Sequence, residues 1–425
     1  MLDIKYIREN IEQVKKAARD KNIKVDLDQL LALDEQRRDL MKKSEDLRMQ
    51  KNEASKKIPT LGDVEKKALL LELKVVDEKQ KKLEEKLAET QNEYHSLMLQ
   101  VPVVPSAETP VGHDDAQNVE ISKVGDVPMF DFPIKDHITL GKELDIIDNE
   151  RAAKIAGSRS YILKGDGARL EYALLKYAMD FITLRGYTLM SVPVMVNRFA
   201  LEGTGYFPGG EEEIYQLEKD NKYLVGTSEV ALGAYYSDEV LEGAQLPVRM
   251  SGISTCYRRE AGAYGKDTHG LYRVHQFNKV EQFIICKGEV DESNKMFIEL
   301  KNNTEEFLKN LKIPYRVLNV CTGDMGKGKY YMNDIECWMP SRNSYGETHS
   351  CSNLQDFQAR RLNLRYRDSD GKIKVCHTLN NTMVATPRIL IAVLENNQNA
   401  DGSVNIPKVL RPYMNNQEKI VKPIK

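Results

Sequence analysis

The chain has 425 residues, with 62 Lys and Arg against 64 Asp and Glu, a formal net charge of −2. That balance excludes binding of nucleic acid by bulk positive charge; such binding would need a local basic patch. Hydrophobic residues are 41% and charged residues 30%, enough for real cores in roughly two or three domains, and no apolar run approaches the ~18 residues of a membrane span.

The first hundred residues hold one Gly (Gly62), one Pro (Pro59) and no Cys, Phe or Trp. A Leu-, Lys- and Glu-rich stretch without Gly or Pro is helical by propensity, and Pro59 and Gly62 together mark a turn between two helices. Leu33, Leu40, Leu47 and Ala54 repeat every seven residues before the turn. After it, Leu69, Val76, Leu83 and Leu97 form one track, interrupted by Thr90, and Leu73, Leu87 and Tyr94 another, interrupted by Gln80. Such heptads make a narrow seam for one partner helix. The simplest partner is the other helix across the turn, although a dimerising coiled coil has the same pattern. The charge of 1–100, 22 basic against 21 acidic residues, does not decide between them. Lys42, Lys43, Arg48, Lys51, Lys56 and Lys57 cluster toward the turn.

Val101-Pro102-Val103-Val104-Pro105 ends the helical part. The Asp-rich stretch that follows reads as a linker, giving divisions at 1–105, 106–140 and 141–425. Beyond it, helix patterns (143–156, 168–186, 229–241, 291–311) alternate with β-branched and aromatic runs at Leu189–Val196, Val248–Tyr257, Tyr272–Cys286 and Tyr315–Val320. The strands come in antiparallel-looking pairs, which favours α+β over a doubly wound sheet. Neither common phosphate-loop motif is present. The six Cys, all after residue 255, form no C-x-x-C and read as reduced thiols. The opening MLDIKYIREN has no signal-peptide apolar region, so a cytoplasmic protein is expected. No Cys/His set has zinc spacing, so no structural zinc is expected.

The strongest local signal is Tyr257-Arg258-Arg259-Glu260-Ala261-Gly262, a short loop with Gly265 and Gly270, then Leu271 through Glu281. By strand alternation Arg273, His275, Phe277, Lys279 and Glu281 share one face. Two cations, a ring and an acid do not make a core face. With Arg258 and Glu260 on the partner strand they could clamp a nucleotide: Arg on phosphate, ring on base, carboxylate on an amine.

Arg-x-Glu, a loop, then Arg-x-His-x-Phe-x-Lys-x-Glu resembles motif 2 of the class II aminoacyl-tRNA synthetases, in the wording of the seryl family. Ser160–Leu170 and Gly186–Pro193 resemble its motif 1 region. Gly203-Thr204-Gly205 and Val225–Glu229 resemble segments lining its amino-acid pocket. Leu379 through Arg388, Leu394-Glu395-Asn396 and Val409–Tyr413 resemble motif 3 and the C-terminal end. The resemblance implies a class II antiparallel sheet flanked by helices, with an N-terminal antiparallel coiled-coil arm that binds tRNA. It implies ATP-dependent attachment of L-serine to tRNA(Ser), and to tRNA(Sec) where present, through a seryl-adenylate, by a homodimer in which one subunit's arm serves the other's site.

It also implies roles. Arg258 would hold the α-phosphate and the serine carboxylate, with Arg259 beside it on ATP. Glu260 would read the adenine amine, and Arg273 would meet the γ-phosphate. Val274 would offer backbone to adenine, Phe277 would stack on it, and Arg388 would cover its other face and help neutralise phosphate. Glu347, Thr348, His349 and Ser350 would border ATP, with Glu347 and Ser350 reaching its Mg2+. Thr227, Ser228, Glu229, Glu281 and Thr382 would line the serine pocket, where a buried hydroxyl partner rejects Ala. Thr348-His349 departs from the usual family residues. Met383 and Pro387 stand where Gly is common, which predicts a changed backbone approach to ATP.

Other readings are a silent paralogue, which would be expected to lose Arg258, Glu260, Glu281 or Arg388; a ligase charging a carrier protein, which would lack the arm; a structural coiled coil, which needs no motif 2 pair; and a threonyl enzyme, which needs a Cys/His/His zinc site.

Overall fold

The computed structural model describes residues 1–262 and 270–423. The sequence's glycine loop at 263–269, with Gly265 and His269, lies outside the described residues. The chain divides into two compact units, one mainly helical (2–19 and 23–102) and one holding 103 onward.

In the helical unit, α1 (Ile4–Glu9) and α2 (Ile11–Asp20) precede two long helices, α3 (Leu27–Lys57) and α4 (Asp63–Met98). Asp26 caps α3, accepting the Gln29 N–H at 2.8 Å. A single 3₁₀ turn at Ile58–Thr60, with Pro59 at its start, reverses the chain. The partner in the seam is intramolecular: Lys51 bonds Asp77 at 2.5 Å, and the Arg37 guanidinium sits 4.8 Å above the Tyr94 ring. Leu33, Leu40 and Leu73 are buried, and the remaining heptad positions are half-buried. The two interruptions also stay in the seam, with Thr90 buried and Gln80 half-buried. Thr90 achieves this by donating its hydroxyl to the Lys86 carbonyl at 2.8 Å, which satisfies the group without water.

The second unit is α+β. Eight strands form one sheet: β1 (Val119–Val124), β2 (Thr188–Ser191), β3 (Val248–Tyr257), β4 (Gln276–Cys286), β5 (Tyr315–Asn319), β6 (Tyr331–Met339), β7 (Ser344–Gln355) and β8 (His377–Ala385), in the order β1-β5-β6-β7-β8-β4-β3-β2. Every pairing is antiparallel except β2 with β3. α5 (Asp166–Thr183), α7 (Val290–Leu311) and α8 (Thr386–Asn396) contribute residues to the large core cluster, with Ile284, Val317, Ile335 and Cys337 from the sheet. The short α6 (Glu229–Ala234) packs against β3 and β4.

The expectations differ from the structure in several places. First, the expected linker 106–140 supplies edge strand β1, paired with β5 from Val119↔Asn319 to Val124↔Tyr315 with a register shift between Glu120 and Ser122. Its residues are largely exposed, as an edge strand allows. Second, the helix expected at 143–156 is two helices, His137–Glu143 and Asn149–Ala156, separated at Asp145, whose φ is +58°. Third, β4 begins at Gln276, not Tyr272. Fourth, the helix expected at 229–241 stops at Ala234, and Val240–Glu242 is a short strand.

Candidate active site

The cleft lies where β3, β4, β7 and β8 run together. β4 is the floor: Phe277, Lys279 and Glu281 are successive same-face residues and all line it. The later start of β4 corrects the expected face. Residues 272–275 turn, so Val274 joins the wall. Arg273 and His275 hold neighbouring backbone and side chains instead: His275 Nδ1 lies 3.0 Å from the Arg258 carbonyl, and Arg273 Nη1 bonds Glu260 Oε2 at 3.2 Å.

At one end of the cleft stand Arg258, Glu260, Phe277 and Arg388. The Arg258 guanidinium lies 5.3 Å from the Phe277 ring centre, and its Nε donates to the Gly226 carbonyl at 3.4 Å, while the Arg258 backbone N–H bonds the His275 carbonyl at 2.9 Å. Glu260 has φ +53°, an uncommon conformation for a residue with a side chain, and its carbonyl accepts from Arg159 Nη1 at 2.7 Å. That backbone turns the carboxylate back toward Arg273. Arg388 donates to the carbonyls of Tyr272 (3.1 Å) and Glu347 (2.9 Å), pairs with Glu347 Oε2 at 3.1 Å and sits 4.5 Å above the Tyr272 ring. Arg259 departs from the expectation: its side chain is exposed and its N–H is tied to the Glu213 carbonyl, outside the wall.

Pro387 sits in the first turn of α8, where a fixed φ suits a helix start. It therefore helps begin the helix that presents Arg388. Met383 lies in the β8 bulge between Thr382 and Val384 and is fully buried in the main core. Its bulk goes to the helix-covered side and leaves the cleft side of β8 to Thr382 and Ala385.

The β6–β7 ladder sorts the segment 347–350. Asp334 pairs with Ser350 and Ile335 with His349, and then a bulge sets Glu336 against Glu347. Ile335 and Cys337 face the main core, and the extra residue of the bulge turns Thr348 that way as well as His349. The Thr348 hydroxyl donates to the Ile335 carbonyl at 3.1 Å and lies 2.8 Å from His349 Nδ1. Both residues contribute to the cleft wall, yet these bonds run into the neighbouring strand. Burial holds the His349 pKa down to about 3, so the ring is neutral. Glu347 and Ser350 take the other face, with Asp334 behind Ser350. Burial, then the nearby Glu347, drives the Asp334 carboxyl well above its usual range, against a Ser350 hydrogen bond. For Glu347, burial pushes upward, but Arg388, Arg258 and Arg273 outweigh it and hold the carboxylate below its usual range. The donors here are hard oxygens, and one Asp334 carboxylate oxygen is buried without a partner; both facts suit a hard cation that a phosphate also holds. Among the described residues no group of three or more His, Cys, Asp or Glu could hold a metal by itself.

At the other end of the cleft two buried carboxylates meet. Glu229 (3% exposed) and Glu281 (0%) are joined by Asn380, whose Nδ2 donates to Glu229 Oε2 at 3.1 Å and Glu281 Oε1 at 2.9 Å. Glu229 also accepts from Tyr206 (2.9 Å) and Gln358 (2.8 Å). Burial, then Glu229, pushes the Tyr206 phenol far up. Thr227 and Thr382 complete this end, Thr382 directly opposite Glu281 in the ladder. Ser228, expected here, points elsewhere: it is fully buried and donates to the Gly252 carbonyl at 3.2 Å. Gly252 is needed for that packing, because a Cβ there would stand 2.8 Å from the Ser228 side chain.

Sequence reasoning missed Tyr206, Tyr272, Lys329, Asn380 and the role of Lys279 in this wall. Lys279 and Asn380 had a signal, being two residues from Glu281 and Thr382 on their strands. Tyr206, Tyr272 and Lys329 come from loops and had none.

The family model of the class II tRNA synthetase core domain (G, H, P, S and T) matches residues 213–397. That of the seryl-tRNA synthetase N-terminal domain matches 1–105. A serine–tRNA ligase of Deinococcus radiodurans is 45% identical over the whole of both chains. One of Nitrosopumilus maritimus is 42% identical over 99% of this chain and all of its own. Among solved structures, seryl-tRNA synthetase from Pyrococcus horikoshii complexed with ATP matches with TM-score 0.91 and 36% identity over the full length of both chains. The cytoplasmic serine–tRNA ligase of Naegleria fowleri in complex with AMP gives 0.86 and 30%, covering 100% of this chain and 99% of that one. Alike end to end in sequence and fold, and matched by both family models, the chain belongs to the seryl-tRNA synthetase family of class II aminoacyl-tRNA synthetases.

Proposed function

We propose that the protein attaches L-serine to tRNA(Ser) in two steps within this cleft. A serine carboxylate oxygen attacks the α-phosphorus of ATP in line; the α–β bridging bond breaks, pyrophosphate leaves and seryl-adenylate forms. The terminal adenosine hydroxyl of the tRNA then attacks the adenylate carbonyl, releasing AMP. The observation that carries this reading is the paired buried carboxylates Glu229 and Glu281, held by Asn380 at the end of a cleft whose other end holds Arg258, Phe277 and Arg388. The ammonium of serine meets carboxylate there, and its hydroxyl finds Thr382 and Thr227. Alanine would leave these groups unpaired.

At the nucleotide end, Phe277 and Val274 take the adenine, Glu260 its amine, and Arg258, Arg273 and Arg388 the phosphates. Preplaced charges of this kind stabilise the developing negative charge without reorganisation, and holding both reactants in line removes most of the entropic barrier. Glu347 and Ser350 are the residues that would hold Mg2+, which offsets phosphate charge when bound. Arg273 and Glu260 are already paired, so ATP must exchange that bond for its own. Thr348 and His349 help line the wall and stiffen the β7 bulge from its core side.

The long helix pair serves as the tRNA grip, reading backbone shape and phosphates of the long variable arm. Lys42, Lys43, Arg48, Lys56 and Lys57 are exposed toward its tip. The same reading makes the protein a cytoplasmic homodimer and extends its substrates to tRNA(Sec) where that tRNA is present.

The test is serine-dependent ATP–pyrophosphate exchange, run beside threonine and alanine. Exchange with serine alone is expected; its absence with serine sinks the reading.

A further inference from the structure

Lys279 is the one cation on the β4 floor, and the roles above leave it unused. It is two residues before Glu281 on the same strand face, and its Nζ lies 2.5 Å from Glu281 Oε2. The two side chains are 5% and 1% exposed. The other Glu281 oxygen is occupied by Asn380 at 2.9 Å. A buried pair of charges loses more hydration than a single contact restores unless its remaining donors and acceptors are also satisfied. Lys279 has three ammonium hydrogens, and Glu281 is its salt-bridge partner among the described residues. The pair borders the same cleft as Thr382 and Arg258. It has the form of a site in which each charge awaits a second partner.

We propose that Lys279 is a binding residue for the substrate carboxylate, and that an amino acid enters as a zwitterion by opening the Lys279–Glu281 pair. The incoming ammonium takes Glu281, and the incoming carboxylate takes Lys279 alongside Arg258. One ion pair becomes two, and the net charge of the pocket does not change. No bond is made or broken in this step. A ligand with only one of the two charges would separate the pair and leave one member buried without a partner, which is strongly unfavourable. The pocket therefore selects for the α-amino acid backbone as a unit, before the side chain is read.

This inference rests on serine as substrate, and the experiment separates the two. Calorimetry measures binding of L-serine, ethanolamine (the ammonium and hydroxyl without the carboxylate) and ATP to the full chain and to Lys279→Met and Lys279→Arg. The unaltered protein is expected to bind serine at least about 100-fold tighter than ethanolamine. In K279M serine should weaken by about 30-fold or more and ethanolamine should tighten, because no lysine must be displaced. The ATP affinity should stay within about threefold, and K279R should recover part of the serine affinity. Parallel weakening of serine and ethanolamine would mean that Lys279 only supports the fold, and would overturn the proposal. Loss of ATP affinity with serine unchanged would assign the lysine to phosphate, and would also overturn it. Failure of the unaltered protein to bind serine at all would instead strike the substrate assignment.

Discussion

At Asn380 one side-chain amide spans two buried carboxylates. Without it, Glu229 and Glu281 face each other with one fewer donor between them, and like charges in a dry pocket repel. Asn380→Ala is expected to raise the KM for serine about 10- to 100-fold, roughly the loss of one or two charge-assisted hydrogen bonds, while the KM for ATP changes less than about threefold. Steady-state exchange kinetics with each substrate varied in turn would check this; an equal rise in both would refute it. His349 gives a second residue-level prediction. Its folded pKa is held near 3 by burial against an ordinary 6.5, so the native state keeps it neutral while the unfolded chain protonates below about 6.5. Its contribution is therefore fully present above that pH and declines as pH falls toward the folded value. At about 1.4 kcal/mol per pH unit, His349→Gln should gain about 2 kcal/mol on its parent between pH 7.5 and pH 5. Denaturant midpoints at the two pH values measure this, and a constant gap would contradict it. His377, lowered to about 4 by burial, adds to the acid sensitivity of the parent. These residues also show what was legible. Arg258, Glu260, Phe277 and Glu281 stood out because charge and aromaticity alternate where a core strand would be apolar. Ser228, Thr348 and His349 looked like their neighbours in the sequence. Only the β6–β7 bulge and the close approach of Gly252 turned their side chains elsewhere.

The elements divide by how locally they are determined. The long helix pair was readable because a heptad is a pattern within one segment and its turn is marked by the only Pro and Gly of residues 1–100. The deletion that follows is correspondingly direct. Removing residues 34–92 takes away most of α3 and α4 and leaves the sheet unit's own core in place. Adenylate formation, measured as ATP–pyrophosphate exchange, should remain within about tenfold, while charging of tRNA(Ser) should be abolished. Equal loss of both would remove the case for the helix pair as a tRNA grip. β3 was expected at its observed span. β1 was not foreseen: Val119-Glu120-Ile121-Ser122 alternates, but the run is short and follows a polar, Asp-rich stretch. β6 and β7 were unassigned as well. Their polar residues, among them Asp334, Glu347 and Ser350, belong to the cleft face, so function overwrites the period-two pattern there.

For the whole molecule, the proposed homodimer makes a direct prediction. Sedimentation equilibrium should give twice the 48.5 kDa chain mass at micromolar concentration, and the deletion of 34–92 should still dimerise if the interface belongs to the sheet unit. A monomer that charges tRNA at full rate would refute a dimer-dependent mechanism. No helix of the described residues is long and apolar enough to cross a membrane, in line with the composition. The net charge of −2 shows why global charge is a poor guide to an RNA partner: it averages over units, whereas phosphate contact depends on a few exposed cations on one surface.

The amino-acid sequence by itself determined the helix pair, the α+β class, the motif that identifies the family and most of the charged residues of the cleft. Each of these is written in a short window, as a period, a propensity or a run of unlike side chains. The tertiary structure alone decided that Asn380 joins Glu229 to Glu281, that Lys279 closes on Glu281, that Met383 turns into the core and that β1 completes the sheet. The physical reason is that these depend on strand order and register, which bring together residues far apart in the chain, such as Asn380 and Glu229, 151 positions apart, or Val119 and Asn319. A one-residue bulge, invisible in any local pattern, is enough to choose the face on which a side chain will act.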